Sequence, residues 1–235
     1  MSCRIVVRPA CRSDEPARAE LVRRGMFSYQ REAVVYFFFQ ELTLQGCILA
    51  GAILFIFCGA SMQLCALVPL GAVLVVYIVV YLTHVDATDR RIQKLRHELT
   101  GFVAEYHGPL LAGEPPTLPV LIEDLQESSD QPAFRQVVGT VSVEERWGPG
   151  EAGWLSSLAV HPKWQRRGIG RALLRACEAE AIARGLASLD VNLSELQLAA
   201  RALLTHMGWS SLGWFTGGYG ARLQMARLAK ELPHA

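Results

Sequence analysis

"HPKWQRRGIGRALL", residues 161–174, decides how this chain is read. It joins an apolar run, residues 154–160, to "IGRALLRACEAEAIARG", in which Ile169, Leu173, Ala176 and Ala183 share one stripe before Gly185. The spacing predicts a strand, a turn and a helix. The first turn of a helix leaves about four N–H groups unpaired and carries roughly half a positive charge. Gly168 and Gly170 leave those amides uncovered, and Arg166, Arg167 and Arg171 attract an anion, so the junction suits a pyrophosphate. Two other phosphate-binding patterns fit less well. No Lys-Ser or Lys-Thr follows the glycines, as a nucleoside triphosphatase requires. The third glycine of a dinucleotide fingerprint is missing, and the turn comes late in the chain.

Upstream, "CRIVVRP" reads as a strand and "SDEPARAELVRRG" as a helix opened by Ser13 or Asp14, with Pro16 in its first turn and Gly25 past its end. Residues 42–85 then contain no Asp, Glu, Lys or Arg. Two stretches, 42–60 and 64–82, would each cover roughly 28 Å at about 1.5 Å per residue, close to the ~30 Å hydrocarbon thickness. Residues 61–63 make the turn. The second stretch is rich in Leu, Ile and Val; Gly46, Gly51 and Gly59 in the first allow close helix approach. A helical hairpin buried in a soluble core is the alternative.

A hairpin returns the chain to the side it came from. Arg23, Arg24 and Arg31 precede it and Arg90, Arg91, Lys94 and Arg96 follow it, which predicts both ends in the cytosol. Two short spans favour the thinner bilayer of the endoplasmic reticulum. The expected organisation is residues 1–41 as the first strand and helix of a domain, 42–83 as a two-span anchor in the lipid bilayer, and 84–235 as the rest of that domain. The N-terminus has no apolar core of a cleavable signal.

Residues 86–106 show helical spacing (Ile92, Leu95, Leu99, Phe102, Val103) and predict an amphipathic helix near the membrane interface. "PVLIED" and "QVVGTVSVEER" predict a strand pair across a polar turn, residues 126–132. "LASLDVN" is a further buried strand. Ser194 with Gln197 forms a capping box, predicting a helix to Gly208. "SSLGWFT" and "ARLQMARLAKEL", separated by "GGYG", suit a terminal strand pair, although the last segment also has helical character. The fold class is α/β (α+β).

The net charge of +1 gives no ground for a nucleic-acid partner. The 6 cysteines form no Cys-x-x-Cys pair and no metal-ligand spacing with histidine, so reduced thiols and no metal are expected.

"LSSLAVHPKWQRRGIGRALLRACEAEA" resembles the central motif of the GNAT N-acetyltransferases, with Gln165, Gly168 and Gly170 satisfying Gln/Arg-x-x-Gly-x-Gly/Ala. "LDVN" and "AARALLTHMGW" follow in family order, and the apolar hairpin resembles the camello-like, membrane-bound branch. The resemblance implies a mixed, mostly antiparallel sheet flanked by helices, with the transmembrane hairpin inserted. It implies acetyl-CoA as donor. The amides of Gln165, Arg166, Arg167, Gly168, Ile169, Gly170 and Arg171 would hold the pyrophosphate. The backbone of Leu158, Ala159 and Val160 would run beside the pantetheine and acetyl carbonyl, with Asn192 contacting the cofactor from the next strand.

The implied reaction is attack of a primary amine on the thioester, with the Val160 N–H as oxyanion donor. The acceptor would be a small amino acid, a conjugate or a protein lysine. Where many relatives carry an acidic tyrosine, four residues before the Gly-aromatic pair, this chain has Leu204. Tyr219 and His206 are the replacements. A thiol with pKa of about 8.5 also leaves tolerably without help. Glu144 and Glu145 end a strand that could border the cleft, beside Ser156 and Ser157; Glu145 and Tyr219 are the catalytic expectation. His161, Trp164 and Trp209 read as structural. The rival reading is a catalytically silent, membrane-tethered acetyl-CoA sensor or scaffold, for which Leu204 speaks.

Overall fold

Runs of Val, Leu and Ile between turns form one eight-stranded sheet in a computed structural model that describes residues 4–108, 121–124, 134–145, 152–217 and 223–233. Two compact units emerge, Met1–Gly25 with Arg90–Ala235, and Met26–Asp89. The sheet belongs to the first unit. Its strands are β1 (Arg4–Pro9), β2 (Thr100–Gly108), β3 (Leu121–Asp124), β4 (Phe134–Glu145), β5 (Ala152–Val160), β6 (Ser188–Ser194), β7 (Ser210–Thr216) and β8 (Gln224–Glu231). They lie in the order β3-β1-β2-β4-β5-β6-β8-β7. β1 with β3 and β5 with β6 are parallel, and the other neighbours are antiparallel. This is the mixed, mostly antiparallel sheet that was expected.

Helices cover both faces. Helix α1 (Glu15–Phe27) lies on one: buried Arg18 donates to Thr140 Oγ1 at 2.9 Å and Ser142 Oγ at 3.0 Å, and grips Glu98 with two bonds of 2.6 Å. Helix α6 (Ile169–Ala183) lies on the other. There a Cβ on Gly139 would stand 3.0 Å from Leu173 Cδ1 and 3.2 Å from Ile169 Cγ2. Helix α7 (Leu198–His206) joins the same core through the fully buried Leu204.

The second unit contains α2 (Gln30–Phe38), α3 (Glu41–Cys58), the short α4 (Met62–Cys65) and most of α5 (Val68–Lys94). Gly59, in the left-handed conformation at φ 61°, stops α3 without the steric cost another residue would carry. Two helical stretches, Glu41–Cys58 and Met62–Lys94, are long and apolar enough to cross a membrane. Their large apolar side chains, among them Ile48, Phe57, Leu70 and Leu82, are exposed.

Several elements depart from the sequence expectation. Gly25 does not end α1, because two more residues keep the helix going to Phe27. Residues 64–82 are not one helix: the chain breaks after Cys65 and restarts at Val68, where Pro69 has no N–H to continue an earlier turn. The helix expected over residues 86–106 ends by His97, and Thr100–Gly108 is a strand between β1 and β4. Phe102, Val103, Ala104 and Tyr106 are buried on both of its faces, and a strand covered on both sides loses the alternation that marks it as one.

β3 pairs with β1 and not with β4, whose two edges are taken by β2 and β5. Gln197 does reach back to the Ser194 N–H at 3.1 Å, yet that bond closes a turn and α7 begins only at Leu198. The last segment is a strand.

Candidate active site

β5 and β6 are in register only through Ala152↔Ser188, Gly153↔Leu189 and Trp154↔Asp190. Beyond Trp154 they part, and β6 continues beside β8. The result is a wedge lined on one side by the backbone of β5. On its far edge β5 carries a bulge against β4: Thr140 faces Ala159, but Ser142 faces Ser156. Ser157 absorbs the extra residue in the left-handed region, at φ 53°.

Hydrogen bonding past the bulge fixes which amides are free. The His161 N–H donates to Val138 O at 2.8 Å, and Val160 faces Gly139 in register. Antiparallel neighbours alternate between bonded and unbonded pairs, so Ala159 bonds toward β4 while Val160 aims its N–H group at the wedge. Gln165 closes the corner, donating from Nε2 to Val160 O at 3.2 Å.

The turn after β5 is held from below. Trp164 is buried against Tyr106, with ring centroids 4.8 Å apart, and Arg167 sits 5.3 Å over the Trp164 ring. Arg166 (φ 63°) and Gly168 (φ 83°) are both left-handed, and Gly168 caps α6 without any side-chain bond. The first intrahelical donor is Ala172, bonding Gly168 O at 3.0 Å; the amides of Ile169, Gly170 and Arg171 precede it and face outward. Gly170 is hemmed in, since a Cβ there would lie 3.0 Å from Leu203 Cδ2.

The arrangement fits an elongated ligand with an anionic head. Open helix amides and arginine charge suit a phosphate group, and extended backbone beside a wedge suits an amide-containing arm. Asn192 on β6 contributes a buried Oδ1 that lacks a partner among the described residues. Leu158, Ala159, Val160, Gln165, Arg166, Arg167, Gly168, Ile169, Gly170 and Arg171 are brought into one continuous strip; Asn192 sits on the strand that parts from it.

His161 is no free base. Its Nε2 lies 3.0 Å from Arg24 Nη1, and a guanidinium only donates, so that nitrogen's lone pair is engaged. Burial, then the charges of Arg24 and Lys163, hold its pKa below the ordinary histidine value. Trp209 is buried and donates to Glu178 Oε1 at 3.2 Å. Cys177 is buried in α6, and burial pushes its thiol pKa up, so it is inert.

Tyr219 lies outside the described residues. Glu145 ends β4 opposite Gly153, and its side chain lies outside them too. His206 ends α7 and is exposed. Sequence reasoning missed the bulge at Ser157, for which "SSL" gives no signal, and the Asp190–Arg227 ion pair at 2.5 Å, which joins residues far apart in sequence.

Residues 93–209 match the family model described as Acetyltransferase (GNAT) family. That segment is a domain of the GNAT acetyltransferase family. Among solved structures, yncA from Salmonella typhimurium, determined with its cofactor acetyl-CoA, aligns over 98% of this chain and 95% of its own, at 14% identity and a TM-score of 0.51. That likeness concerns the fold. A GNAT-family protein of Desulfovibrio desulfuricans covers 97% of this chain and 98% of its own at 16% identity and a TM-score of 0.47. The ribosomal-protein-S18-alanine N-acetyltransferase of Escherichia coli covers 60% of this chain and 72% of its own at 20% identity and a TM-score of 0.40. No curated protein matches the GNAT chain in sequence.

Proposed function

We propose that this GNAT protein is an N-acetyltransferase of the camello-like, membrane-bound kind. It takes acetyl from acetyl-CoA and gives it to a primary amine, either a small amino acid or conjugate or a protein lysine. One observation carries the reading: the Val160 amide turns from β4 toward the β5–β6 wedge, and the same strand leads through a short turn to the uncovered amides at the start of α6.

Acetyl-CoA, when bound, supplies a thioester carbonyl and a good leaving group. The amides of residues 165–171 and the arginines among them would hold its pyrophosphate. The β5 backbone, with Asn192 opposite, would orient the arm. The Val160 N–H is the donor for negative charge developing on the carbonyl oxygen; a fixed donor of this kind is worth roughly 3–4 kcal/mol. Leu204 is buried and cannot ionise, so departure of the thiolate relies on its own modest basicity.

Supporting the membrane half of the reading are the charge-free run of residues 42–85, the exposed apolar helices, and the arginines on both flanks. Helices α3 and α5 span the bilayer, and the catalytic domain faces the cytosol, with the endoplasmic reticulum as the favoured membrane.

The buried Leu204 favours a second reading, a tethered acetyl-CoA sensor without chemistry. Purified full-length protein in lipid vesicles is to be offered acetyl-CoA with a panel of amines while CoA thiol is followed. Amine-dependent thiol release is expected; tight acetyl-CoA binding with no release on any amine selects the sensor.

A further inference from the structure

We propose that Ser156 and Glu144 are the proton-accepting pair of the transfer, an assignment that rests on the acetyltransferase reading above. Ser156 Oγ donates to Glu144 Oε1 at 2.7 Å. The two side chains share the α1 face of the sheet: Ser142, two residues before Glu144 and in register with Ser156, is the residue Arg18 holds on that face. Ser156 is the second residue after Trp154, the last to pair with β6, so it sits where the two strands begin to part, with its hydroxyl on the α1 face. Val160, whose amide turns toward the wedge, follows four residues later, roughly 13 Å along the strand at about 3.3 Å per residue. The other serine on offer, Ser157, is buried in the bulge.

The neighbouring carboxylates are already committed. Arg18 takes Glu98 and Arg227 takes Asp190. Glu144, by contrast, receives its shortest bond from a neutral hydroxyl. Lys94, from the last turn of α5, reaches its Oε2 at 3.4 Å; Trp154 faces it across the strands, and the Arg18–Glu98 pair lies behind Ser142. Lys94 on Oε2 thus leaves Oε1 to the serine.

In the step itself the acceptor arrives as an ammonium. One of its N–H protons passes to Ser156 Oγ while the Ser156 proton passes to Glu144 Oε1. The products are a neutral amine with a free lone pair, an unchanged hydroxyl and a neutral carboxylic acid, which later releases the proton to water.

The test compares full-length wild type with Glu144→Gln, Ser156→Ala and Ser156→Thr in vesicles, using the amine that turns over fastest. Glu144→Gln is expected to lower kcat/KM by about a hundredfold, the lower range for a lost acid–base group, and to erase the acidic limb of its pH profile. Acetyl-CoA Kd by titration calorimetry should stay within about twofold of wild type, well under 1 kcal/mol. Ser156→Ala should lose about tenfold, with Ser156→Thr restoring most of it because the hydroxyl returns. An active wild type whose Glu144→Gln variant keeps the acidic limb, or a Ser156→Thr variant no better than Ser156→Ala, overturns the pair alone. A wild type that binds acetyl-CoA yet acetylates no amine overturns the enzymatic reading and the pair with it.

Discussion

Arg166 and Gly168 adopt the same left-handed backbone at different cost. For glycine the conformation is free, whereas an L side chain gives up roughly 1–2 kcal/mol. Gly168→Val should therefore lower the thermal midpoint by several degrees and weaken acetyl-CoA about tenfold or more, read by calorimetry, because the side chain screens the α6 amides. Arg166→Gly should split the two effects: strain is relieved and the midpoint rises, while the loss of a charge weakens acetyl-CoA binding. A third residue sets a pH dependence. His161 has its folded pKa depressed by burial and by Arg24 and Lys163. As pH falls below about 6.5, the unfolded chain takes up a proton that the folded chain resists, so this contribution to stability is present at neutral pH and fades on acidification. Arg24→Ala should raise the His161 pKa toward the ordinary value, measurable by NMR titration of the ring. The glycines were legible in sequence because nothing else permits a close anion. The strained Arg166 was not, since an arginine beside a phosphate site is expected for its charge alone.

Between elements, Arg18 ties α1 to β4 and to Glu98, with 4% of its side chain exposed. Arg18→Ala would leave a carboxylate and two hydroxyls without their donor, and denaturant unfolding should show a loss of about 3–5 kcal/mol. Gly139 controls the seat of α6 through its contacts with Leu173 and Ile169. Gly139→Val should overpack that interface by about 1–3 kcal/mol and, by lifting the first turn of α6, also weaken acetyl-CoA. A variant that lost stability but kept full affinity would separate the seat from the site. Element identities were readable where a period was clean, as in α6 and the strands β1, β5 and β6. They were unreadable where burial was two-sided. The segment "TGFVAEY" was assigned to a helix because Leu95, Leu99, Phe102 and Val103 happen to fall at helical spacing, and only its neighbours β1 and β4 make it a strand. The same is true of β3: a four-residue strand carries no mark of which edge will take it.

For the molecule as a whole, the proposed hairpin makes the most exposed claim. An N-glycosylation acceptor inserted in the turn at residues 61–63 should be modified in endoplasmic reticulum membranes, while one placed near residue 10 should not. The protein should also stay in the pellet after alkaline extraction. Modification at both positions or at neither would contradict a two-span hairpin with cytosolic ends. What the sequence by itself determined is local: the glycine turn with its arginines, the charge-free apolar run, and the strand and helix that flank the turn, since each of these depends only on residues close together along the chain. Tertiary structure alone decided the rest. The parting of β5 from β6, the turn of the Val160 amide away from β4, the meeting of Ser156 with Glu144, and the burial of an Asn192 oxygen with no partner among the described residues all follow from which strands pair. Pairing is settled by the competition of edges and faces for burial, and no single segment contains that information.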